Sequence, residues 1–96
     1  MNGIVFSWDD RKDRANQHKH GVSFEEAATA FADENARVKH DPDHSSTEER
    51  FVLLGFSAKL RQLVVAHAYR RNENEIRIIS ARKATRTERE QYGEFL

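Results

Sequence analysis

The chain has no cysteine, one proline, one methionine and four glycines. Without Cys there is no disulfide framework, no thiolate metal site and no cysteine nucleophile, and a reducing cytoplasm is the expected setting. Low Pro and Gly content argues against a disordered or collagen-like chain. No apolar run approaches the roughly 20 residues that span a bilayer, and the N-terminus lacks the basic-then-apolar layout of a signal peptide, so no membrane association is expected. A surplus of either charge is also missing, because 16 Lys/Arg balance 16 Asp/Glu. What remains is a 96-residue chain, 38% hydrophobic and 33% charged, suited to a single domain over residues 1–96 with a small core.

The zero total hides a division. Residues 1–48 hold 6 Lys/Arg against 10 Asp/Glu, whereas residues 49–96 hold 10 against 6. Between Arg50 and Arg89 all 10 of those cations meet only Glu73, Glu75 and Glu88. A surface built by the second half should therefore face a polyanion, the plainer alternative being an ordinary solvated basic face.

Ile4 to Trp8 reads as a strand feeding a helix at Asp9, an N-cap residue type. That helix, about Asp9 to His20, has only Ala15 as an apolar residue and stops at Gly21, so it should lie on the surface. Ser23 and Glu26 form a capping box, after which Phe24, Ala27, Ala28 and Phe31 recur at helical spacing and supply a core face. A polar loop around Pro42 follows, with at most a short edge strand near Arg37 to His40. Arg50 to Phe56, Arg61 to Arg70 and Glu75 to Ala81 read as strands whose short connectors impose antiparallel pairing. Thr85 and Glu88 open a last helix with few apolar residues, Tyr92, Phe95 and Leu96. The expected class is α+β: an antiparallel sheet of three to five strands, two N-terminal helices packed on it and a C-terminal helix.

Candidate chemistry lies in the strands. If Ser57 opposes Leu60 and Arg70 opposes Glu75, then Arg50, His67 and Ile78 share a row. Ser80 and Arg82 lie further along the same face among Val52, Leu54, Leu63 and Val65. Arg70 and Arg77 gather on the opposite face, and a slip of one residue would exchange the faces. Arginines pointing from the middle of an apolar sheet suit bidentate phosphate contact and the charge that builds during RNA backbone cleavage. Ordinary cross-strand pairing is the alternative. His67 is either a core histidine or a proton-transfer group. The cluster His40, Asp41, Asp43 and His44 has no metal-motif spacing, and no Gly-rich phosphate loop or nucleophile elbow is present, so no cofactor is expected.

Four segments carry a family resemblance: Phe6-Ser7-Trp8-Asp9; Lys19-His20-Gly21-Val22-Ser23-Phe24-Glu25-Glu26-Ala27; His44-Ser45 leading to Glu48-Glu49-Arg50-Phe51; and Ile76-Arg77-Ile78-Ile79-Ser80-Ala81-Arg82-Lys83-Ala84-Thr85. In this order, over nearly the full chain, they resemble the BrnT toxin family. The resemblance implies a fold like the RelE-type ribonuclease toxins and the toxin role in a type II toxin–antitoxin pair. It also implies a BrnA-like, DNA-binding antitoxin, with a 2:2 heterotetramer as the expected assembly and operator DNA contacted only through the antitoxin. By motif and charge, the catalytic candidates are Arg50, Arg77, Ser80 and Arg82, with Arg70, Lys83 and Arg86 binding RNA, and His67 joins the catalytic set as the proton-transfer group. Tyr92, Phe95 and Leu96 are candidates for antitoxin contact, unless they close the protein's own core. The expected reaction is metal-independent endoribonuclease cleavage through the 2′-OH. The competing reading is a noncatalytic RNA-binding or protein-interaction module.

Overall fold

The computed structural model describes residues 3–70 and 74–93. In chain order it contains β1 (Val5–Ser7), α1 (Asp10–His20), α2 (Phe24–Thr29), β2 (Arg37–His40), β3 (Phe51–Phe56), β4 (Gln62–Arg70), β5 (Glu75–Lys83) and α3 (Arg86–Gly93), with 3-10 turns at Ala30–Ala32 and Pro42–His44. The strands form one sheet ordered β1-β5-β4-β3-β2. β2 to β5 pair antiparallel, but β1 runs parallel to β5, Phe6 opposite Ile76. The sheet is therefore mixed, which corrects the purely antiparallel expectation. Short connectors dictate direction only for hairpin-linked strands, and β1 reaches β5 across the whole chain.

α1 and α2 cover one face, while α3 lies against part of the other, its Glu88 and Gln91 beside Val52, Leu54 and Val64. Phe24, Ala27 and Ala30 meet Leu53, Leu63, Val65, Ile78 and Ala81 in the core. Ser23 caps α2 through the Glu26 N–H at 3.0 Å, yet the Glu26 carboxylate does not close the expected box. It turns instead to Ser57 and to the Arg61 guanidinium, pinning α2 to the β3–β4 turn. α1 is capped as expected, with Asp9 accepting from the Arg11 and Lys12 N–H groups and Gly21 left-handed at φ 71°. Its hold on the sheet is not apolar, since Ala15 is exposed and Asn16 is buried. The Asn16 amide donates to the Val22 and Ala81 carbonyls and accepts from the Ala81 N–H.

Two local features reset the strand faces. Ser57 bonds to Arg61 rather than opposing Leu60, with Leu60 left-handed at φ 63°, so the β3–β4 turn is one residue longer than expected. A three-residue hairpin loop ending in a left-handed residue has this form. β3 consequently pairs Phe51 with His67 and Val52 with Ala66. Arg70 does oppose Glu75 and His67 opposes Ile78, but Ala66 opposes Ser80, leaving Ile79 unpaired as a bulge. The bulge turns Ser80 and Arg82 away from the His67 face.

Candidate nucleic-acid interface

The face opposite α1 and α2 now holds what the expected registers had divided between two faces. Arg77, Ser80 and Arg82 alternate with the buried Ile78 and Ala81 along β5. Arg70 ends β4, and Arg50, alternating with Phe51, falls on the Val52 side at the start of β3. Val52, Leu54, Val64, Ala66 and Ala68 form the floor between them. Two further cations were missed by the sequence reading: pairing of Arg37 with Leu54 and of Lys39 with Val52 puts both on this same face from the edge strand β2. The signal was available in the alternation of Arg37 and Lys39, but the polar loop around them obscured it.

Carboxylates border this face: Glu75 stands opposite Arg70 across β4 and β5, and the Asp9 pKa, lowered first by bonds from the Lys12 and Arg11 N–H groups, is lowered further by the charge of Arg77. Arg70 lies 3.4 Å from Glu48, an exposed and therefore weak pair. Among the described residues neither Arg50 nor Arg77 makes an ion pair, and Ser80 is exposed. Arg82 differs: its two terminal nitrogens donate to the two Glu88 carboxylate oxygens at 2.8 and 2.9 Å. Those bonds, despite partial burial, hold the Glu88 carboxyl down to about 2. Glu88 and Gln91 form one wall of a groove of about 340 Å³, with Val52, Leu54 and Val64 as its floor and Arg37 and Lys39 as the far wall.

His67 stands apart. It lies on the helix-covered face with no exposed surface, its Nδ1 3.0 Å from the Val65 carbonyl and its Nε2 3.2 Å from the Tyr69 hydroxyl. Phe31 meets it edge-on, and burial lowers its pKa. An imidazole enclosed in this way reaches no phosphate on the other face, so the geometry gives it a core role. Lys83 also alternates away from Arg82, and Arg86 is an exposed residue of α3 that lies 3.5 Å from Glu90. Tyr92 is 4% exposed, donates to Asp33 at 2.7 Å and packs edge-on against Phe56. Burial and the Asp33 carboxylate push its pKa up to about 12. Its surface is spent inside the fold, which corrects its assignment to antitoxin contact. Phe95 and Leu96 lie outside the described residues.

The family model described as the ribonuclease toxin BrnT of type II toxin–antitoxin systems matches residues 8–88. The chain belongs to the BrnT toxin family. The crystal structure of the Brucella abortus ribonuclease toxin BrnT is similar in fold, with a TM-score of 0.65 at 21% sequence identity, covering 86% of this chain and 99% of that one. No curated protein matches the sequence. A BrnT-family ribonuclease toxin implies an antitoxin partner, and its α+β architecture is the five-strand mixed sheet with three α-helices seen here. No helix among the described residues is long and apolar enough to cross a membrane.

Proposed function

We propose that this BrnT-family toxin is an endoribonuclease that cuts RNA on its open sheet face without a metal ion, acting in the cytoplasm to halt translation. The observation that carries the reading is the convergence of Arg50, Arg70, Arg77 and Arg82 with Ser80 on one side of β3 to β5. In this mechanism the RNA 2′-oxygen loses its proton and attacks the adjacent phosphorus. The bond from phosphorus to the 5′ oxygen breaks, that oxygen takes a proton, and a 2′,3′-cyclic phosphate remains. Arg77 and Arg50 stabilise the charge on the five-coordinate phosphorus, while Ser80 donates to a phosphate oxygen. The open face has no imidazole among its described residues, so both protons pass through water. Arg70 and Arg86 extend the contact along the strand of RNA.

The antitoxin belongs over the same face. The groove pairs an apolar floor with the Arg37 and Lys39 wall, which fits a segment of alternating acidic and apolar residues. A BrnA-like antitoxin that dimerises on operator DNA would then give two toxins and two antitoxins. Co-purification with light scattering should return that stoichiometry, and the complex should no longer bind RNA.

The deciding experiment is a denaturing gel of RNA incubated with the protein in excess EDTA. Cleavage should persist and leave cyclic phosphate ends. Activity that vanishes on chelation and returns with a divalent ion would sink the metal-free mechanism. RNA that is bound but never cut would favour the noncatalytic module.

A further inference from the structure

We propose that Arg82 is a second phosphate-binding station of the RNA face, occupied in the free protein by the Glu88 carboxylate, so that α3 is an exchangeable cover over it. The inference rests on the RNA-cleavage reading above and adds a contact and a control to it. Arg82 lies in the row Arg37, Leu54, Val64, Arg82 across four strands, in line with the open face. Its guanidinium meets Glu88 fork to fork, at 2.8 and 2.9 Å, the arrangement in which an arginine also takes two oxygens of a phosphodiester. A carboxylate and a phosphate thus compete for the same two donors.

Exchange is feasible because neither partner is sealed in. The Arg82 side chain is 41% exposed and that of Glu88 26%, so parting them strands no fully desolvated charge. The helix that carries Glu88 is lightly held. It has 8 residues, of which Tyr92 alone is buried, and its fastenings are the Tyr92 bond to Asp33 with its edge-on packing against Phe56, an Arg89 bond to the Ala84 carbonyl, and Glu88 itself. Against this stands the plainer view that the Arg82–Glu88 pair merely fastens α3.

Glu88→Gln separates the two. Glu88 also accepts from the Thr85 N–H at 2.8 Å in the helix-opening capping box, a role glutamine fills as well. The substitution therefore removes the competing charge and keeps the helix start. The probe is a 2′-O-methyl RNA oligonucleotide, which binds but cannot undergo 2′-OH attack, read by fluorescence anisotropy at fixed salt with a melting curve for each variant. E88Q should bind about tenfold tighter than the parent, as removal of one opposing charge at a paired arginine permits. That gain should vanish on an Arg82→Ala background. Tyr92→Phe, which frees α3 from Asp33 and leaves Glu88 intact, should tighten binding by a smaller factor and decides the matter if E88Q does not fold. Folded E88Q or Y92F that binds no tighter overturns the proposal, as does a gain that survives R82A. Wild-type protein that binds the probe yet cuts no RNA overturns the cleavage reading and not the station. Wild-type protein that cuts RNA, with E88Q binding no tighter, overturns the station alone.

Discussion

His67 sits in the core as a neutral ring, and its lowered pKa has a definite consequence for pH. The unfolded chain binds a proton near the usual value of about 6.5, while the folded protein resists it, so stability is full above that pH and falls as the solution is acidified toward the folded pKa. His67→Gln should flatten this acid limb in melting curves while leaving the pH profile of RNA cleavage unchanged. A cleavage limb near pH 6–7 that disappears in H67Q would return the residue to the mechanism. Arg77 makes the opposite case: Arg77→Ala should melt close to the parent and yet cleave about 10²–10³-fold more slowly. Proportional loss of both would make Arg77 structural. The sequence made these residues visible as candidates, since arginine in an apolar strand is conspicuous. It set Arg77 and Arg70 apart from His67 but not Arg50, Ser80 and Arg82, because side-chain direction depends on two single-residue features, the Leu60 turn and the Ile79 bulge, that leave no mark in the hydrophobic pattern.

Among the elements, α1 and α2 are held by polar contacts that periodicity does not report. Asn16 is one residue from the lone apolar position of α1, and its three bonds to Val22 and Ala81 do the work of an apolar stripe. Asn16→Ala leaves buried backbone groups of Ala81 without their partner and should cost about 2 kcal/mol in urea unfolding. The α2 start was legible from Ser23, and its core face from Phe24 and Ala27, whereas the destination of Glu26 was not. With its side chain 2% exposed and held by Arg61 and Ser57, Glu26 is a long-range clasp rather than a local cap. Glu26→Ala should cost about 3 kcal/mol or more, since the Arg61 charge loses its partner. A loss under 1 kcal/mol would show that the clasp relaxes into water. β1 escaped correct pairing for a related reason, since nothing local tells a terminal strand which edge to join.

At the scale of the molecule, a chain of zero formal charge presents most of its sheet-borne arginines on one side. Binding to single-stranded RNA should therefore weaken steeply with salt, the logarithm of affinity falling by about 0.7 per phosphate contact for each decade. Arg77→Ala should reduce that slope by one such step. A slope near zero would remove the phosphate contacts altogether.

The bulge at Ile79 can also be seen as a shift of phase. Before it, odd positions of β5 face the open side; after it, even positions do. One inserted residue thus inverts the reading frame of inside and outside, and the chain obeys the inversion with arginine at 77 and again at 82. Paired in unbroken register, the same residues would turn Ser80 and Arg82 toward the core and Ala81 outward, so the placement of that charge depends on one residue being left out of the ladder.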